Sequence, residues 1–277
     1  MNREDIKVAV LRIEGTNCEE ESHQVWRDLG AQAEKVHLKQ FLGIDVNEEE
    51  KRDLDDYHIL MIPGGFSAGD YIRAGAIFGA RMKSAMEEKL EKFVEDGKPV
   101  LGVCNGFQVL VEMGLLPAID ETMSGVPKAV LATNDSNKFE CRPTYLRIEE
   151  NKRCCFTQNF EEGGKVMFPS AHAEGKLIFE SEDILQKVKE NDQIVFRYTT
   201  SDGSEPDYPW NPNGSAEDIA GICNSQGNVL GLMPHPERVF NRYTHPDWTR
   251  SENKSSEEHG DGKPLFESAL KYVEKNF

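Results

Sequence analysis

The chain has 277 residues, enough for one large domain or two small ones. Its 32 Lys+Arg against 49 Asp+Glu leave a net charge of −17, so phosphate backbones and anionic lipid surfaces are poor partners. A hydrophobic share of 38% supports a real core and excludes a disordered chain.

Along the first half, strand and helix signals alternate. Ile6–Leu11 reads as a buried strand, and Asn17 as the cap of a helix running to Gly30. Lys35–Leu38 is a weaker strand. Tyr57–Ile62 is a third, stopped by Pro63-Gly64-Gly65. Ile77, Phe78, Met82, Ala85, Met86, Leu90, Phe93 and Val94 keep helical spacing up to Gly97, and Val100–Val103 is another buried strand. This alternation predicts an α/β fold, a mostly parallel central sheet flanked by helices. The second half holds further strands at Thr144–Ile148, Lys165–Phe168, Gln193–Tyr198, Ile219–Cys223 and Asn228–Met233, then a helix from about Pro264 to Asn276. With no linker or repeat, residues 1–277 are expected to form a single domain. Surface insertions are expected near 42–56 and 241–261, the latter carrying Ser255-Ser256-Glu257-Glu258.

Val100–Pro117 is interrupted by Asn105, Gln108 and Glu112, so it is no membrane span, and the first residues do not form a signal peptide. Six scattered cysteines without an export signal suggest thiols kept reduced in a cytoplasm; adjacent Cys154-Cys155 is read as incidental. No C-x-x-C occurs, so no metal site is expected.

The sharpest local feature is Gly102-Val103-Cys104-Asn105-Gly106, a G-x-C-x-G between an apolar strand and a helical pattern. This is nucleophile-elbow logic with sulfur in place of oxygen. A helix N-terminus beneath Cys104 favours its ionised form, and the Asn105 N–H is aimed at a nascent oxyanion. The plain alternative is a buried structural cysteine. Cys18 competes, but lacks a glycine two residues on, so a packed or capping role suits it better.

A thiolate needs a base, and the base an orienter. His172-Ala173-Glu174 and His235-Pro236-Glu237 both qualify, each after an apolar strand, and spacing alone does not choose between them. The Gly64-Gly65 turn, continuing Phe66-Ser67-Ala68-Gly69-Asp70, suits a second oxyanion donor or an ordinary loop. No P-loop or G-x-G-x-x-G accompanies it.

Cys104-x-Gly106-x-Gln108 with distant His235-Pro236-Glu237 resembles the class I glutamine amidotransferases, whose triad is Cys–His–Glu. Longer strings narrow the resemblance. Gly15–Glu19, Pro63–Gly75, Gly102–Gln108, Asn211–Ser215 and Gly231–Arg238 are similar to the glutaminase subunit of phosphoribosylformylglycinamidine synthase, in the same order from about residue 6 onward. Glu14, Ala68 and Ala173 depart from residues frequent in that family.

The resemblance implies a flavodoxin-like fold with extra strands in the second half. It implies Cys104, His235 and Glu237 as catalytic, Gly65 and Asn105 as the oxyanion hole, and Gly64, Phe66 and Gln108 around bound L-glutamine. His172 and Glu174 become secondary candidates near the mouth of the site or the partner surface. It implies release of ammonia to a large synthetase subunit, with a small bridging subunit. ATP and Mg are expected on the synthetase and no cofactor in this chain. Rival readings are a glutaminase feeding another synthetase, a cysteine hydrolase acting on esters or peptides, and a non-catalytic relative.

Overall fold

The structure is a computed structural model that describes residues 1–149, 152–249 and 259–277. Four short apolar stretches build its centre: β1 (Lys7–Arg12), β3 (Ile59–Ile62), β4 (Val100–Val103) and, late in the chain, β11 (Val229–Leu232). β3, β4 and β11 are buried at every position, which is why they read as unbroken hydrophobic runs without alternation. β2 (Gln32–His37) flanks β1 and is largely half-exposed, which explains its weak sequence signal.

The other strands are β5 (Ala129–Ala132), β6 (Glu140–Ile148), β7 (Lys165–His172), β8 (Lys176–Phe179), β9 (Ile194–Thr199) and β10 (Ile219–Cys223). Among the described residues, nine strands form one sheet in the order β2-β1-β3-β4-β11-β10-β9-β6-β7. The β2-to-β11 side is parallel, and the strands added beyond β11 pair antiparallel. The expected parallel centre with extra strands in the second half is therefore present.

The helices are α1 (Glu19–Asp28), α2 (Leu38–Leu42), α3 (Ala76–Glu95), α4 (Asn105–Met113), α5 (Glu182–Glu190) and α6 (Lys263–Asn276). The β1–α1–β2 and β3–α3–β4 crossovers run in opposite directions across the sheet, so right-handed connections put α1 and α3 on opposite faces. α1 packs with α6, Trp26 meeting Phe266 edge-on at 5.0 Å, while α3 packs with α4. No helix among the described residues is long and apolar enough to cross a membrane.

Several boundaries differ from the sequence reading. Cys18, not Asn17, is the N-cap of α1, and it caps without a side-chain hydrogen bond. β7 continues four residues past Phe168, so His172 lies within the strand, opposite Glu140 of β6, instead of after it. The small antiparallel pair of β5 and β8, and α5, are additions that the sequence patterns do not announce. α5 buries only Leu185 and Val188, and Ser181 caps it through Ile184 N–H, so its apolar signal is short. The 42–56 stretch is mostly exposed and takes two 3-10 turns, anchored by buried Leu54. In the 241–261 stretch, Asn241 bridges to His259, and the Ser255–Glu258 motif lies outside the described residues.

Candidate active site

β4 and β11 are adjacent and parallel, so the segments leaving the two strands meet at one carboxyl edge, where ligands bind in open α/β sheets. Cys104 comes directly after β4. Its backbone sits at φ 51° and ψ −106°, an unusual conformation for a residue bearing a side chain, and it caps α4. Both flanking glycines are required by close approach. A Cβ on Gly106 would stand 1.9 Å from Ile62 O, and one on Gly102 would stand 2.6 Å from Gly106 O. The chain therefore turns from strand to helix with no room except at the cysteine, as G-x-C-x-G predicts. Cys104 N–H is tied to Leu232 O at 2.8 Å, locking the turn to β11.

His235 lies just past β11 in extended backbone, and Pro236 starts a 3-10 turn over Pro236–Val239. That turn folds Glu237 back onto the ring: Nδ1 meets Glu237 Oε1 at 2.5 Å, with both side chains buried. Burial opposes a charged ring, but Glu237 and then Cys104 hold the His235 pKa well above the usual histidine range. The Cys104 and Cys18 thiols both lie close enough to Nε2 to favour its protonation, yet neither completes a hydrogen bond of good geometry. Cys104 Sγ instead points toward Ala171 O at 3.6 Å. The cysteine–histidine contact is poised, as is common before substrate arrives.

Gly64 lies at the meeting point. A Cβ there would fall 2.7 Å from His235 Cε1, 3.1 Å from Cys18 Sγ and 3.5 Å from Cys104 Cβ. The turn after it is held by Phe66 N–H on Gly15 O and Ala68 N–H on Glu14 O. It continues through left-handed Ala68, Asp70 and Ile72. Gly65, Phe66, Asp70, Cys104, His172 and Glu174 are among the residues lining a cavity of about 40 Å³. Phe66 is partly exposed and packs against Phe139 with ring centroids 6.3 Å apart. Asn105 opens α4, where first-turn N–H groups lack an intrahelical acceptor. Its side chain accepts from Ser67 N–H and donates to Gln108 Oε1 at 2.9 Å. Gln108 Nε2 in turn donates to Glu174 O at 2.6 Å, so the glutamine ties α4 to the segment after β7.

His172 and Glu174 also reach this cavity, but not as a pair. His172 Nδ1 faces Asn134 Oδ1 at 3.2 Å, and Glu174 Oε2 accepts from Ala74 N–H at 3.0 Å. Burial and then the neighbouring His235 push the His172 pKa down to about 4.

Cys18 is both packed and capping, in line with its local sequence. The structure adds that its sulfur sits inside the site, accepting from Arg238 Nη2 at 3.1 Å and flanking His235. Burial raises its pKa, with His235 opposing, so it is a neutral thiol at ordinary pH. Nothing in its local sequence signals this; the clue is spatial, the 15–18 turn crossing Gly64. Cys18, His235 and Glu237 are also the one group of metal-type donors clustered among the described residues, within 4.8 Å of one another. Within that group, Glu237 Oε1 and His235 Nδ1 are committed to each other.

A cysteine on a strained strand-to-helix turn, beside a buried histidine oriented by a glutamate, is the arrangement of an α/β cysteine–histidine–glutamate amidotransferase or hydrolase. Residues 5–273 match the model of the CobB/CobQ-like glutamine amidotransferase domain, and the chain belongs to that family. It is 52% identical to phosphoribosylformylglycinamidine synthase subunit PurQ of Archaeoglobus fulgidus, covering 99% of this chain and 100% of that one. It is 43% identical to the subunit of the same name from Picrophilus torridus, over 94% and 96% of the two chains. Among solved structures it resembles a chain of PurLQS from Thermotoga maritima, with a TM-score of 0.71, 32% identity and coverage of 97% and 99%.

Proposed function

We propose that this chain is the glutamine-hydrolysing subunit of a phosphoribosylformylglycinamidine synthase, supplying ammonia to an ATP-using partner in purine biosynthesis. The observation that carries the chemistry is the buried His235–Glu237 pair beside the strained Cys104. Full-length similarity to PurQ subunits supports the assignment to this synthase over another.

In this reading, Cys104 sulfur attacks the side-chain carboxamide carbon of L-glutamine. The backbone N–H groups of Gly65 and Asn105 carry the oxyanion; loss of one such donor typically costs about 10²–10³ in rate. His235 gives its Nε2 proton to the leaving nitrogen, the C–N bond breaks, and ammonia departs from a γ-glutamyl thioester. Water then attacks the thioester carbon while His235 takes its proton. Glutamate leaves, restoring Cys104 as thiolate beside a protonated His235. Gly64 leaves space for the ring, and Phe66 and Gln108 wall the substrate.

Ammonia is a nucleophile only while unprotonated, so it must pass to the second reaction without mixing with bulk water. No nucleotide-binding motif is legible in this chain, so ATP and Mg belong to the large synthetase subunit, with a small subunit bridging the two. Exposed Tyr71 and Ile72, on the strained turn beside the site, offer an apolar rim for such a partner. The reading locates the enzyme in the cytoplasm, in keeping with the free thiols at Cys18 and Cys104.

The test is Cys104→Ala in the reconstituted synthase. Glutamine-dependent synthesis should fall by at least about 10⁴-fold, the scale of losing a triad nucleophile. Ammonia-dependent synthesis should persist. Survival of glutamine use would refute the assignment.

A further inference from the structure

The cavity beside Cys104 has a one-sided chemistry. His172 is 3% exposed, and its tautomer is set by Asn134. The Asn134 amide nitrogen donates to Lys138 O (2.9 Å) and His172 O (2.8 Å), so its Oδ1 must face the ring, where Gly175 N–H also donates at 3.0 Å. An oxygen opposite Nδ1 requires the proton on Nδ1 and leaves Nε2 a lone pair. That Nε2 is buried, and no hydrogen-bond partner reaches it among the described residues. Asp70 Oδ1 is buried and unpartnered in the same way. Glu174 uses Oε2 on Ala74 N–H, which leaves Oε1 for a ligand. All three side chains line the one small cavity with Cys104. The neighbouring guanidinium of Arg73 is paired with Glu112, Nε to Oε1 at 2.7 Å.

The two buried acceptors, His172 Nε2 and Asp70 Oδ1, cost free energy without donors, unless a ligand brings N–H groups and positive charge, and half-buried Glu174 adds a carboxylate oxygen beside them. A primary ammonium carries three donors. A glutamine whose carboxamide carbon lies against Cys104 holds its ammonium nitrogen four bonds away, about 5 Å when extended. We propose that Asp70, Glu174 and His172 form the subsite that takes the α-ammonium group of the substrate amino acid. The inference rests on Cys104 as the nucleophile toward glutamine, and it makes this subsite the element that selects an amino acid over a plain amide.

Two electrostatic features agree. Burial and then Glu174 push the Asp70 pKa up to about 6, a repulsion that a bound cation relieves. His172, pushed down to about 4, stays a neutral acceptor at the pH where glutamine is a zwitterion.

The experiment uses the full chain assembled with its synthetase subunits. It compares kcat/KM for L-glutamine with that for glutaramate, which has the same carboxamide and carboxylate but no ammonium. The wild-type enzyme should prefer glutamine by at least about 10²-fold, since a site built for buried N–H donors strongly rejects analogues lacking them. Asp70→Asn and Glu174→Gln should each lower that preference by about tenfold or more, chiefly through KM for glutamine. Asn tolerates the left-handed backbone at position 70 (φ 52°), and Gln can still accept from Ala74 N–H, so both changes keep the local fold. An unchanged preference in both variants, with the Cys104 thioester still trapped from glutamine, overturns the subsite. Failure of the wild-type enzyme to form that thioester overturns the nucleophile reading instead.

Discussion

His235-Pro236-Glu237 and His172-Ala173-Glu174 carry the same residue types at the same spacing, and both reach the space around Cys104. Their structures are opposite. In the first, a proline-started turn brings the glutamate onto its own histidine at 2.5 Å and holds the ring's pKa up. In the second, residues 173–175 wrap around Asn134, with Ala173 O accepting from Asn134 N–H, and Glu174 swings to Ala74. Its histidine is left facing an amide oxygen, and its pKa is pushed down to about 4. A His-x-Glu spacing therefore becomes a hydrogen-bonded histidine–glutamate pair only where the intervening backbone turns one side chain onto the other.

The hardest test of the contrast is to remove each ring. His235→Ala should cost glutamine-dependent kcat/KM about 10⁴-fold, as for other triad bases, while His172→Ala should cost about tenfold through KM. The reverse order would exchange the two pairs. Next in size, Glu237→Gln should lower kcat by about 10²–10⁴-fold with little change in KM, because a neutral amide no longer stabilises the protonated ring. If kcat holds, the 2.5 Å contact only supports the fold.

The smallest expected effect is on stability. A histidine whose folded pKa is lowered binds fewer protons folded than unfolded, so stability falls as pH drops from its unfolded value near 6.5 toward about 4. For His172 this amounts to at most about 3 kcal/mol at the acid end. Denaturant melts of wild-type protein and His172→Gln between pH 7 and 4 should converge as pH falls. A constant gap would show that the ring carries no such linkage.

Much of the fold and the turn that presents Cys104 are legible in the sequence. Unbroken apolar runs mark β3 and β4, because strands buried on both faces need no alternation. The Cys104 turn is legible because only glycine fits where backbone approaches within 2–3 Å of backbone, as at Gly106. β5, β8 and α5 are not, since each buries too few side chains to leave a periodic trace. The importance of Cys18 is hidden for a different reason. Its packed, capping role is local, but its place beside His235 depends on two turns far apart in the chain meeting at Gly64.

By itself the amino-acid order determined the α/β layering, the elbow at Cys104 and two equivalent histidine candidates, because burial, glycine spacing and strand period are local properties written along the chain. Only the tertiary structure decided which glutamate reaches which imidazole, brought a second sulfur to His235, and gathered Asp70, His172 and Glu174 around one hollow. Those are distances between segments, set by how β7, β11 and the Gly64 turn pack together, and spacing along the chain does not encode them.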